Sequence, residues 1–79
     1  MWWIFEKLIE KDAVVFYAYS RGNRNLDGKV SINRKTKEVE LVTPSADDAG
    51  SDYAEYKAIE KASLMIKYGY PQQRQVACG

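Results

Sequence analysis

The chain contains no histidine. That removes the usual general base near neutral pH and the commonest nitrogen ligand for metals. Its one cysteine, Cys78, can form no internal disulfide, so nothing marks a secreted, stapled scaffold. Without histidine that thiol also lacks its standard activating partner. Gly22, Gly28, Gly50 and Gly69 are scattered along the chain, which leaves no glycine-rich loop to cradle a phosphate. Long apolar runs are missing too. The opening Met1-Trp2-Trp3-Ile4-Phe5 meets Glu6 and Lys7 at once, whereas a signal peptide needs a basic leader and a membrane span needs about 20 apolar residues. The expected location is therefore cytoplasmic, with no membrane partner. A net charge of +1 gives no global attraction to nucleic acid or anionic lipid.

These absences bound the chemistry. An enzyme would have to work from carboxylates, lysines and tyrosines alone, and no site of that kind is visible. The expectation is a protein that is not an enzyme, with no catalytic, cofactor-binding or metal-ligating residues. Asp47, Asp48 and Asp52 offer oxygen ligands, but their spacing does not match a twelve-residue calcium loop with its terminal glutamate. They read as a solvated turn followed by favourable charge at a helix start.

What is present suits a small folded unit. Seventy-nine residues make one domain, spanning 1–79. A chain of this size buries only about 60–65% of its unfolded surface. The hydrophobic content of 46%, with two tryptophans, six tyrosines and two phenylalanines, argues for a compact chain and against disorder.

The first half reads as four short strands. Trp2–Ile9 carries Trp2, Ile4 and Leu8 on one side and Trp3, Phe5 and Ile9 on the other. Ala13–Tyr19 carries Val14, Phe16 and Ala18 against Val15, Tyr17 and Tyr19. Both runs are apolar on both faces. The next two alternate cleanly, with Val30 and Ile32, then Val39 and Leu41, between polar neighbours. Glu10-Lys11-Asp12 predicts a tight connection, Ser20–Gly28 a longer loop, and Asn33–Lys37 a hairpin turn started by the Asn33 side chain. Thr43-Pro44 ends the fourth strand. The period then changes. Asp52 and Glu55 have capping-box spacing, and Ala54, Ala58, Ile59, Ala62, Met65 and Ile66 fall on one arc of a helix reaching about Tyr68. Gly69 suits a left-handed cap and Pro71 stops continuation. Residues 72–79 read as a loose tail.

The fold expected is α+β: a four-stranded antiparallel meander with one C-terminal helix packed across one face. The helix is expected to cover Trp3, Phe5, Val14, Phe16, Val30, Ile32, Val39 and Leu41. One helix covers one face only, so the outer face is expected to carry Trp2, Ile4, Leu8, Val15, Tyr17 and Tyr19. Six clustered apolar side chains exceed what soluble monomers ordinarily expose. They are the expected partner-binding residues, engaging another protein or a second copy in a homodimer, unless the tail, with Tyr70 and Val76, folds back over them. Tyr53, Leu64 and Tyr68 form a second, lesser seam on the helix.

A basic run, Arg21, Arg24, Lys29, Arg34, Lys35 and Lys37, is opposed only by Asp27. In a meander its two groups lie at opposite ends of the third strand, roughly 17–20 Å apart. Single-stranded nucleic acid, stacking on Tyr17 and Tyr19 beside Arg21 and Arg24, is the alternative to a protein partner. No aromatic-plus-glycine RNA-binding signature supports it.

Met1-Trp2-Trp3-Ile4-Phe5-Glu6-Lys7-Leu8, with Tyr17-Ala18-Tyr19, Leu26-Asp27-Gly28 and Thr36-Lys37-Glu38, resembles a group of short uncharacterised bacterial proteins. The resemblance spans most of the strand region and implies a bacterial, cytoplasmic source. It brings no activity and no functional residue.

Overall fold

The computed structural model describes residues 2–77; Cys78 and Gly79 lie outside them. It is an α+β fold with five strands: β1 (Trp2–Lys11), β2 (Val14–Arg21), β3 (Gly28–Asn33), β4 (Val39–Thr43) and β5 (Gln73–Ala77). The helix α1 (Asp52–Lys67) lies between β4 and β5 in sequence. The sheet order is β4-β3-β2-β1-β5, with every neighbouring pair antiparallel. β4 and β5 therefore run in the same direction at opposite edges, and α1 is the crossover that joins them.

The expected four-strand meander is thus one strand short, and the helix is not C-terminal. The stretch read as a loose tail supplies β5, which pairs with β1 from Trp2↔Ala77 to Glu6↔Gln73. Among its five residues only Val76 is buried, as an edge strand over the rim of a core requires.

Local chemistry sets the turns. Asp12 and Ala13 both take positive φ, 54° and 68°, giving a two-residue hairpin loop whose twist matches the strands. The Asn33 side chain accepts from Lys35 N at 2.9 Å and Thr36 N at 3.1 Å, as expected. The helix starts one residue earlier than the capping-box spacing implies. Ser51 is the N-cap, its hydroxyl accepting from Ala54 N at 3.2 Å, while Glu55 reaches back to accept from Gly50 N at 3.3 Å. The helix ends in a Schellman motif: Tyr70 N donates to Met65 O, Gly69 N donates to Ile66 O, and Gly69 sits at φ 78°.

The core lies between α1 and one sheet face. Ala58 and Ala62 are fully buried and Ala54 nearly so, letting the helix lie closest to β3 and β4, beside an aromatic surface on β1 and β2. That surface is continuous. Trp3 stacks on Tyr19 at 6.1 Å between ring centroids, Tyr19 on Phe5 at 5.9 Å, and Phe5 meets Tyr17 edge-on at 6.4 Å. Val15, Val30, Ile32 and Met65 fill the rest, with Val39 and Leu41 at its margin.

The face assignment expected for β2 is reversed. Val15, Tyr17 and Tyr19 are 0% exposed and point into the core, while Val14 and Phe16 stand on the other face. The reason is that both tyrosine hydroxyls find partners at the core's rim. Tyr17 donates to Pro71 O at 2.7 Å, and Tyr19 donates to Asp48 Oδ2 at 3.2 Å and accepts from Ser45 N at 3.0 Å. A buried phenol with its hydrogen bonds made costs nothing extra to bury. Leu64, assigned to a seam facing away, also packs against the core.

Candidate interaction face

The second face of the sheet carries no helix, and the register shows what stands on it. Residues paired across neighbouring strands share a face. Glu6, Ala18 and Lys29 form one row, and Ile9, Phe16, Ser31 and Glu40 another. Ile4 pairs with Ser20 and Gln75, and Trp2 stands at the end of β1.

A register shift between Lys7 and Ile9 leaves Leu8 unpaired. This bulge flips the alternation of β1, because one extra residue moves everything after it to the opposite face. Ile9, expected beside Trp3 and Phe5, therefore stands on the open face. Glu10 moves to the core side, where it pairs with Arg34. A second irregularity in the β3–β4 pairing passes over Val42.

Of the expected partner-binding residues, Trp2 is 52% exposed and Ile4 5% exposed on the open face, and Leu8 is 53% exposed at the bulge. Val15, Tyr17 and Tyr19 are in the core. Apolar side chains absent from the expected set join the face: Ile9 at 58% exposure, Val42 at 49%, and half-buried Val14 and Phe16. No local signal announced Phe16: water on an open face would satisfy the tyrosine hydroxyls as well as Pro71 and Asp48 do inside, and those partners lie distant in sequence.

The face has two unlike ends. At one, an open recess of about 360 Å³ is lined by Trp2, Ile4, Gly22, Asn23, Arg24 and Gln75. At the other, a recess of about 330 Å³ has Val14, Phe16 and Val42 as its apolar wall and Glu38 and Glu40 as its acidic one. Arg24, Glu38 and Glu40 are exposed and have no ion pair among the described residues. One end is thus aromatic and basic, the other concave and acidic.

The remaining charges are absorbed by the fold. Arg21 Nε lies 2.9 Å from Asp48 Oδ1, and Asp48 is fully buried beneath Tyr19. Asn23 donates to Asp47 at 2.9 Å and Ala46 N donates to Asp27 at 3.0 Å, so the acidic stretch stitches two loops together. Asp48, read as solvated, is an internal counter-ion; its partner lay distant in sequence. Arg34 binds Glu10 through two contacts of 2.8 Å and stacks over Tyr70 at 4.1 Å. The expected basic run is therefore divided, and Tyr17 and Tyr19 are too buried to stack on bases.

Burial also raises both phenols. Tyr17 is pushed up to about 12, with nearby Arg34 opposing the shift. Tyr19 likewise reaches about 12, where the Ser45 N–H opposes the shift and the Asp48 carboxylate adds to it.

Among the described residues no helix is long and apolar enough to cross a membrane. No protein family, no curated protein and no solved structure matches the chain.

Proposed function

We propose that this chain is a small interaction module that binds protein through the open face of its sheet. One observation carries the reading: Ile9 and Val42 stand about half exposed beside Phe16 at one end of the open face, and Trp2 stands half exposed at the other, on a sheet whose other face is already packed. An apolar cluster rimmed by polar residues, as Ile9, Phe16 and Val42 are, is the ordinary mark of an interaction site. Each of these side chains is already about half covered, so burying the rest contributes about 1 kcal/mol apiece, towards an association cost that polar contacts at the rim must also offset.

A protein partner accounts for the face better than nucleic acid does. Trp2 beside Arg24 could meet a base and a phosphate, but Glu38 and Glu40 at the far end would repel the strand that followed.

The test replaces Trp2→Ser, Ile9→Thr and Val42→Thr together. Side chains kept exposed for binding contribute little to the monomer, so the urea unfolding free energy should stay within about 1 kcal/mol of the parent. Association in sedimentation should fall. A loss of several kcal/mol would place these residues in the monomer's own core and overturn the reading.

A further inference from the structure

Resting on that reading, we propose that the partner is a second copy of this chain, docked face to face so that Trp2 and Arg24 of each copy enter the acidic recess of the other. The two ends of the open face complement each other. Trp2, half exposed, and Arg24 line one recess together. The opposite recess offers Phe16, Val14 and Val42 to an aromatic ring and Glu38 and Glu40 to a cation. A two-fold axis lying between the sheets, across the line from Trp2 to Phe16, brings each end against its complement. Both contacts then form twice, as an isologous interface requires.

The charges also exclude the other alignment. A pairing that superposed like ends would set Arg24 against Arg24 and Glu40 against Glu40, and unpaired like charges at a closing interface select against it. Between the ends the face carries Glu6, Ala18 and Lys29 in one row, with Ala18 only 7% exposed. The molecular extents of 29 × 21 × 21 Å bound the face at roughly 600 Å² in projection.

The experiment is sedimentation equilibrium of the full chain at low ionic strength, with two charge-reversed forms: Arg24→Glu, and Glu38→Lys with Glu40→Lys. The parent should be a dimer whose affinity falls as salt rises. Each reversed form alone should dimerise at least about tenfold more weakly. An equimolar mixture of the two should recover parental affinity, since one contact in the mixed dimer is native and the other is swapped in sign. Recovery also shows that both variants fold.

A parent that stays monomeric at its solubility limit overturns the second-copy proposal and leaves the open-face reading to its stability test. A dimer indifferent to charge reversal but lost on replacing Trp2, Ile9 and Val42 overturns the docking arrangement and keeps the open face. A dimer indifferent to both sets of changes places the contact elsewhere and overturns both.

Discussion

The ring of Tyr19 occupies the space where a side chain at Gly28 would stand: a Cβ there would come within 2.6 Å of the ring's Cδ1 and Cζ. The two residues are cross-strand partners on the core face, and the ring is pinned at its far end by Ser45 and Asp48. It cannot swing aside. Gly28→Ala should therefore cost near the upper end of the roughly 1–3 kcal/mol typical of overpacking. Gly50→Ala is the control, because it meets nothing within 4 Å and bears only the strain of φ +85°, about 1 kcal/mol. Urea midpoints of the two variants check the order, and a Gly50 variant as unstable as the Gly28 one would remove the steric account.

Tyr17 and Tyr19 make stability fall at alkaline pH. Both have folded values of about 12, above the ordinary 10.0 of a phenol. A group raised in the folded state binds its proton more tightly there, so its contribution is complete below pH 10 and is lost as pH rises towards 12. Unfolding free energy measured across that window should decline, with two phenols ionising only as the chain unfolds. Tyr17→Phe and Tyr19→Phe together should flatten the slope. The Tyr19→Phe change should itself cost about 1–3 kcal/mol, since it strips the buried Ser45 N–H of its acceptor.

How far the fold was legible depended on whether a segment carried direction as well as pattern. The clean alternation of β3 and β4, the Asn33 turn and the alanine arc of α1 each pointed to one structure, and that structure is present. β2 carried apolar residues on both faces, so its pattern defined a strand without saying which side was inward. The answer lay in the hydroxyl partners Pro71 and Asp48, distant in sequence, and in Gly28, whose missing side chain accommodates a ring. The bulge at Leu8 is equally silent, because nothing in Lys7-Leu8-Ile9 announces an extra residue. β5 was hidden for the opposite reason: an edge strand that buries Val76 alone resembles a polar tail. The open face was expected from the apolar excess of β1 and β2, while its composition was half misread through β2.

Arg34 closes one end of the core by lying over Tyr70 while binding both oxygens of Glu10. Lysine would keep the charge but lose the planar stack and the two-pronged contact. Arg34→Lys should cost about 1 kcal/mol. In a double-mutant cycle of Arg34→Met with Glu10→Gln, the coupling should be measurable and should shrink in salt, because the pair is more than a third exposed. Additive effects would show that the ion pair contributes nothing and that stacking alone holds Arg34.

The edge strand β5 should prove indispensable despite its polar sequence. It supplies the hydrogen-bonding partner of the outer edge of β1 and sets Val76 opposite Trp3, which is 1% exposed. Its approach is clamped by Lys7 N donating to Gln72 O at 2.8 Å and by the Gln72 side chain donating back to Lys7 O at 3.1 Å. Arg74 adds a guanidinium 3.7 Å above the Tyr68 ring, tying the strand to the end of α1. Ending the chain after Gln72 would uncover Trp3 and leave the β1 edge open. Lost burial of Trp3 and Val76 alone comes to about 3 kcal/mol or more, a large fraction of the margin of so small a domain. Val76→Asp keeps the backbone pairing yet sets a carboxylate beside the indole, so it should destabilise for a different reason. Both variants should show a lowered melting temperature and a red-shifted tryptophan emission as Trp3 meets water. If the truncated chain melts like the parent while Val76→Asp does not, Trp3 is covered by something other than β5.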